Sequence, residues 1–336
     1  MDVCVYGCAG CGAELTAPVA RVPLPPETHL TYGHGWLPPL MEPGTYAVDP
    51  EPSGPPYGAF EDLSEAEAEA RGLFAPVWPL SFGKSGRIVV APGDSRGTVL
   101  IPEHGGDSCR GVCAGALPTM ACAACGLLVA SRVDDCGLWQ AVWYEPDAVR
   151  RMPATAPAPA RPSGPVPPVL PDGWWNPRLE AAAGAALAPL LRASGGGPVA
   201  LPDGAVGDVF GRALRRLLPA GGPAKRAGLA GPGLPGDGLD IALVPYDPAT
   251  CEPWRPPGGP ATVPLPASVW AYLAGPAETS PVPASGTLPH GVLRDDYPLP
   301  DHPWELFRPD RRATLRTLAR MPEVRLPWLR ALYERC

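Results

Sequence analysis

One five-residue pattern constrains this chain more than any other. C-x-x-C-G is written first at Cys8–Gly12 (CAGCG) and again at Cys122–Gly126 (CAACG). Aligned, CAGCGAELTAPV and CAACGLLVASRV share both cysteines, the alanine after the first, the glycine and the final valine. Two thiolates separated by two residues can reach one ion from a single tight turn, where backbone N–H groups can also hydrogen-bond the sulfurs. The glycine suits a backbone conformation that a Cβ would crowd. Two such knuckles supply four sulfurs, the tetrahedral set that structural zinc prefers. The residues after each glycine, ELTA and LLVA, are positioned to form the strands that leave each turn.

The doubled knuckle resembles the zinc-ribbon and rubredoxin-like group of small metal folds. That resemblance implies Cys8, Cys11, Cys122 and Cys125 as the ligand set. It covers about twelve residues at each knuckle and identifies a module, not a protein. The chain departs from compact ribbons in spacing, since 110 residues lie between Cys11 and Cys122. Closing a flexible loop of that length costs about 4 kcal/mol, whereas structural zinc contributes roughly 10–16 kcal/mol in small peptides. The metal term is the larger, and an inserted β-rich subdomain would lower the closure cost further. A local arrangement stays open beside it. Cys109-x3-Cys113-x8-Cys122-x2-Cys125 could hold one ion, leaving Cys4, Cys8, Cys11 and Cys136 for a second. Buried thiols without metal are the third reading. Zinc is the commoner occupant of such embedded sites; rubredoxin-type iron is the alternative.

Eight of the ten cysteines fall between Cys4 and Cys136, which marks a first domain over residues 1–152. A proline-rich stretch, Pro153–Gly173, reads as a semi-rigid linker, and residues 174–336 read as a mainly helical second domain. The expected fold class is α+β: a zinc ribbon with a β-rich insertion between its knuckles, then helices. The 51 prolines and 40 glycines would otherwise argue for disorder. Only two lysines stand against 25 arginines, with three isoleucines and one asparagine, so a GC-rich coding bias explains much of the excess.

Local signals place the elements. GRIVVA and TVLIP flank the turn residues PGDSRG and read as two strands of a hairpin; PGTYAVDP is a shorter strand. Ser64 and Glu67 form a capping box before EAEAEA. Asn176 caps a helix that starts at Pro177, and DVFGRALRRLL sets Val209, Leu214, Leu217 and Leu218 near one face. DIALVPY reads as a buried strand. The C-terminal segment reads as two helices broken near Pro322 and Pro327.

Several motifs are weaker than they look. GDSRG (Gly93–Gly97) matches G-x-S-x-G, but a nucleophile elbow at Ser95 needs a helix after it, and TVLIP follows instead. GPGLPG (Gly231–Gly236) matches G-x-G-x-x-G with prolines where a helix should start. FGKS (Phe82–Ser85) lacks the first glycine of a P-loop. His34, between glycines in YGHGW, is the histidine best placed for a site role, and Trp139 and Trp143 read as core. From Arg308 to Cys336 there are eight arginines and three acids, with Arg312, Arg316 and Arg320 at four-residue intervals, a candidate phosphate-binding stripe. The net charge of −7 argues against general affinity for nucleic acid or anionic membrane.

With no basic start and apolar segment at the N-terminus, the expected compartment is the cytoplasm, where cysteines serve as ligands before disulfides. The expected function is a non-enzymatic scaffold or protein-interaction module with a structural Cys4 zinc site and a protein partner. Its rivals are a rubredoxin-like iron protein and an accessory factor that touches nucleic acid through its C-terminal arginines. No catalytic residue is assigned.

Overall fold

The computed structural model describes residues 3–157, 164–247, 250–276 and 303–335. They mix sheet and helix in an α+β arrangement and fall into two compact units. The first comprises Met1–Arg71, Pro76–Pro162 and Pro248–Cys251; the second comprises Gly72–Ala75, Ser163–Asp247 and Glu252–Cys336. Among the described residues no helix is long and apolar enough to cross a membrane.

The first unit is built on one nine-stranded sheet. Its strands are β1 (Val3–Cys8), β2 (Val19–Arg21), β3 (Thr45–Asp49), β6 (Arg87–Val90), β7 (Thr98–Leu100), β8 (Met120–Cys122), β9 (Leu128–Val133), β10 (Ala141–Tyr144) and β11 (Val149–Pro153). They lie in the order β11-β1-β2-β3-β6-β10-β9-β8-β7, and only the β2–β3 pair is parallel. A two-stranded sheet, β4 (Tyr57–Gly58) with β5 (Leu80–Ser81), stands apart. The period of two sends alternate residues to opposite faces. Tyr46, Ile88, Val90, Val142 and Tyr144 join one buried cluster; Ala47, Val89, Ala141, Trp139 and Trp143 join another on the other side. The first cluster takes residues from every strand between β1 and β8. Six strand spacings of about 4.8 Å would set β1 and β8 roughly 29 Å apart in a flat sheet. Cys8 at the end of β1 nevertheless lies 3.6 Å from Cys125 just after β8, sulfur to sulfur. The sheet is therefore curled nearly shut, and its concave face is the main core.

Two expectations change here. Most strands between the knuckles form no separate inserted subdomain: β2, β3 and β6 lie in the middle of the sheet that carries the knuckles and β7 at its edge, and only the short β4–β5 pair stands outside it. The Arg87–Val90 and Thr98–Leu100 strands both exist, but they do not form a hairpin. β6 pairs with β3 and β10, whereas β7 pairs with β8. Between them, residues 94–97 turn aside to bond the segment after the first knuckle. Ala17 N–H donates to Asp94 O and Arg96 N–H to Leu15 O, both at 2.8 Å. Ala123 N–H then donates to Gly97 O at 2.9 Å, so this strap ties one knuckle's flank to the other. Ser64 and Glu67 cap α1 (Glu65–Ala70) reciprocally.

The second unit carries helices α2 (Pro177–Ser194), α3 (Ala205–Leu217), α4 (Ala267–Leu273), α5 (Arg311–Ala319) and α6 (Pro327–Arg335). They are organised around a four-stranded, all-parallel sheet: β12 (Val199–Ala200), β13 (Lys225–Leu229), β14 (Ile241–Pro245) and β15 (Ala261–Leu265), in that order. Of these strands only the DIALVPY segment is foreseen by the sequence pattern. The parallel partners are short, and one, ATVPL, is interrupted by a proline, which hides its strand character. Asn176 Oδ1 accepts the N–H of Arg178, and Gly195 ends α2 in the left-handed conformation. α2 presents alanines and Gly184 to α5, and Thr314 Oγ1 donates to Gly184 O at 2.9 Å. The buried side of α5 is accordingly Ala313, Thr314, Leu318 and Ala319; Leu315 and Met321 are half-buried. Residues 158–163 of the stretch read as a linker lie outside the described residues. Beyond them the chain is packed: Val166 and Val169 are buried, and Val166 N–H donates to Ser268 O at 3.0 Å.

Candidate metal centre

Both knuckles fold by the same local bonds. At the first, Cys8 N–H donates to Ala13 O at 2.8 Å and Gly12 N–H donates to Cys8 O at 2.9 Å. At the second, Cys122 N–H donates to Leu127 O and Gly126 N–H to Cys122 O, both at 2.8 Å. Gly12 and Gly126 take φ of 81° and 74°, the left-handed region in which a Cβ is costly. LLVA does enter a strand, β9; ELTA makes only isolated bridges, Glu14 with Gly7 and Thr16 with Ser95.

The curled sheet brings the two turns face to face. All four sulfurs, of Cys8, Cys11, Cys122 and Cys125, lie within 4.8 Å of one another. Cys8 Sγ is 3.6 Å from Cys125 Sγ, and Cys11 Sγ is 3.7 Å from Cys122 Sγ. A disulfide would need about 2.05 Å, whereas a tetrahedron with metal–sulfur bonds of about 2.3 Å has edges of about 3.8 Å. These two separations are close to the edges of such a tetrahedron, and the group is compatible with ligands around one ion. Cys8 and Cys122 are 0% and 1% exposed and belong to the core, whereas Cys11 and Cys125 are exposed. Burial resists ionisation of Cys8, but N–H donors from Cys11 and Gly10 and the neighbouring thiols of Cys125 and Cys122 bring it down to about 7. At Cys125 the Leu127 N–H lowers the thiol, yet the Cys11 and Cys8 sulfurs prevail and push it up to about 12. Four thiols this close cannot all ionise unless a cation lies between them, so the group could hold a metal ion.

No family model, curated protein or solved structure matches this chain.

The local alternative does not describe this arrangement, because Cys122 and Cys125 face Cys8 and Cys11. Cys4 sits in the core of β1, 0% exposed. Cys109, Cys113 and Cys136 gather elsewhere, around Asp135 and with His34. Ser95 follows a short 3-10 turn and precedes β7; its hydroxyl lies 2.8 Å from Tyr144 Oη, whose own proton goes to Leu15 O. No helix follows, so the elbow is absent. GPGLPG forms a tight turn between Gly231 and Leu234 on the way from β13 to β14, and FGKS joins β5 to β6 without a helix. Of the C-terminal arginines, Arg312 meets Asp310, Arg330 meets Glu334, and Arg325 lies over the Phe74 ring.

Sequence reasoning misses several buried charges, among them two neighbouring pairs. Asp49, fully buried, is 3.1 Å from His29 Nε2; burial raises its carboxyl, but the His29 contact prevails and the net shift is downward. Beside it Arg87, also buried, pairs with Glu145 at 3.0 Å and lies 5.6 Å from the Trp143 ring centre. Neither pair has a spacing signature, since the partners come from separate strands and loops.

Proposed function

We propose that the first unit is a zinc-stabilised structural module whose ion closes the curled sheet, and that the protein works as a non-enzymatic scaffold or interaction partner. The observation that carries this reading is the set of four sulfurs within 4.8 Å of one another, two set in the core and two at the surface. Four thiolates complete the coordination of zinc and leave no open position for a water nucleophile. The sheet also ends in an exposed edge strand, β7, with Val99 and Leu100 at the surface. Open edges of this kind accept an added strand from a protein partner. Metal analysis of the full chain, purified without chelator, tests the zinc. A drop of about one equivalent when Cys11 and Cys125 are both changed to serine supports it. Unchanged metal content in that variant, or a red iron-bearing protein in the wild type, overturns it.

A further inference from the structure

We propose a second, independent metal site in the first unit, with His34, Cys109 and Cys136 as ligands and Cys113 as the fourth. The ligating atoms of the first three lie within 4.8 Å of one another. Cys136 Sγ is 3.6 Å from His34 Nδ1. A tetrahedral zinc with bonds of about 2.3 Å to sulfur and 2.05 Å to nitrogen sets those two atoms about 3.6 Å apart.

The surrounding backbone builds this cluster deliberately. Tyr32 N–H donates to Gly137 O and Gly137 N–H donates to Gly35 O, both at 2.8 Å. These bonds clamp the chain on either side of His34 and hold it against Cys136. Gly137 has φ of 73°, and a Cβ there would stand 2.2 Å from Gly33 O, so the clamp requires glycine. On the other side Val112 and Asp134 exchange backbone bonds of 3.0 and 2.8 Å. The Asp135 carboxylate then accepts the N–H groups of Cys109 at 2.7 Å and Arg110 at 2.8 Å. That carboxylate is the organising partner: it fixes the Cys109 turn beside Cys136, as outer-shell acids do around metal ligands. Cys113 Sγ donates to the same Asp135 Oδ2 at 3.5 Å. In this proposal Cys113, held by the same carboxylate, supplies the third sulfur of a Cys3His set of the kind structural zinc uses.

The test is zinc stoichiometry of the full chain by native mass spectrometry, with a chelator competition for affinity. Wild type is expected to hold about two zinc ions, and Cys109→Ser/Cys136→Ser about one. Cys11→Ser/Cys125→Ser is also expected to hold about one, the remaining ion being the one bound here. His34 is exposed, so His34→Ala should keep the fold. It should weaken one ion by more than the about 10–100-fold that an outer-shell partner costs, and remove the nitrogen contribution from the zinc X-ray absorption spectrum. Cys113→Ser should weaken the same ion. One zinc in wild type, or two retained by Cys109→Ser/Cys136→Ser, overturns the proposal and leaves the four-cysteine site untouched.

Discussion

The four knuckle cysteines separate a ligand's role from a packing role, because they differ in burial. Cys11→Ser and Cys125→Ser alter exposed side chains; Cys8→Ser and Cys122→Ser place a hydroxyl in the core. If zinc closes the sheet, each substitution removes one ligand. A hundredfold loss of zinc affinity corresponds to about 2.7 kcal/mol. At about 2–4 °C per kcal/mol for a unit of this size, the melting temperature falls by about 5–11 °C. After chelation the four variants should divide. Cys11→Ser and Cys125→Ser should then melt within about 0.5 kcal/mol of chelated wild type. Cys8→Ser and Cys122→Ser should stay about 1–3 kcal/mol worse, because a buried hydroxyl lacks a partner. Calorimetry of the full chain, with and without chelator, reads both effects. Should Cys11→Ser cost nothing in zinc-loaded protein, the sulfurs are ordinary thiols and the reasoning fails.

Other expectations concern the scaffold. Gly184→Ala should destabilise the second unit by about 1–3 kcal/mol by overpacking, although alanine is the better helix former by about 1 kcal/mol. A Cβ there would lie 2.2 Å from Asp310 O, and a melting temperature at or above wild type would contradict this. Glu180 is pushed up from 4.5 to about 7 by burial and by the Asp310 and Glu305 carboxylates. The folded chain then keeps a proton that the unfolded chain releases, so stability falls as pH rises from about 4.5 to 7. Glu180→Gln should therefore stabilise on the order of 1–3 kcal/mol at pH 8 and much less at pH 5; equal effects at both would refute the assignment. Asp49 is shifted downward, so its contribution is present above the ordinary carboxylate range and lost as pH falls through its lower folded value. Asp49→Asn should cost about 1–3 kcal/mol at neutral pH and flatten the acid limb of a urea-denaturation series.

What the sequence determined by itself was local. Each knuckle closes through bonds spanning five residues, so C-x-x-C-G carries its own geometry. The same holds for the Ser64–Glu67 box, for Asn176 and Pro177 at the start of α2, and for the break between α5 and α6. Such features depend on neighbours in the chain, and the residue types needed are written side by side. Tertiary structure decided the rest. The curl that sets Cys8 beside Cys125 arises from nine strands paired out of chain order. The clamp that delivers His34 to Cys136 depends on backbone bonds across about a hundred residues. The parallel sheet of the second unit, and the Asp49–His29 and Arg87–Glu145 pairs, likewise join segments whose spacing has no period. A long-range contact is selected by the summed packing and hydrogen bonding of the whole fold, and no short stretch of residues encodes that sum.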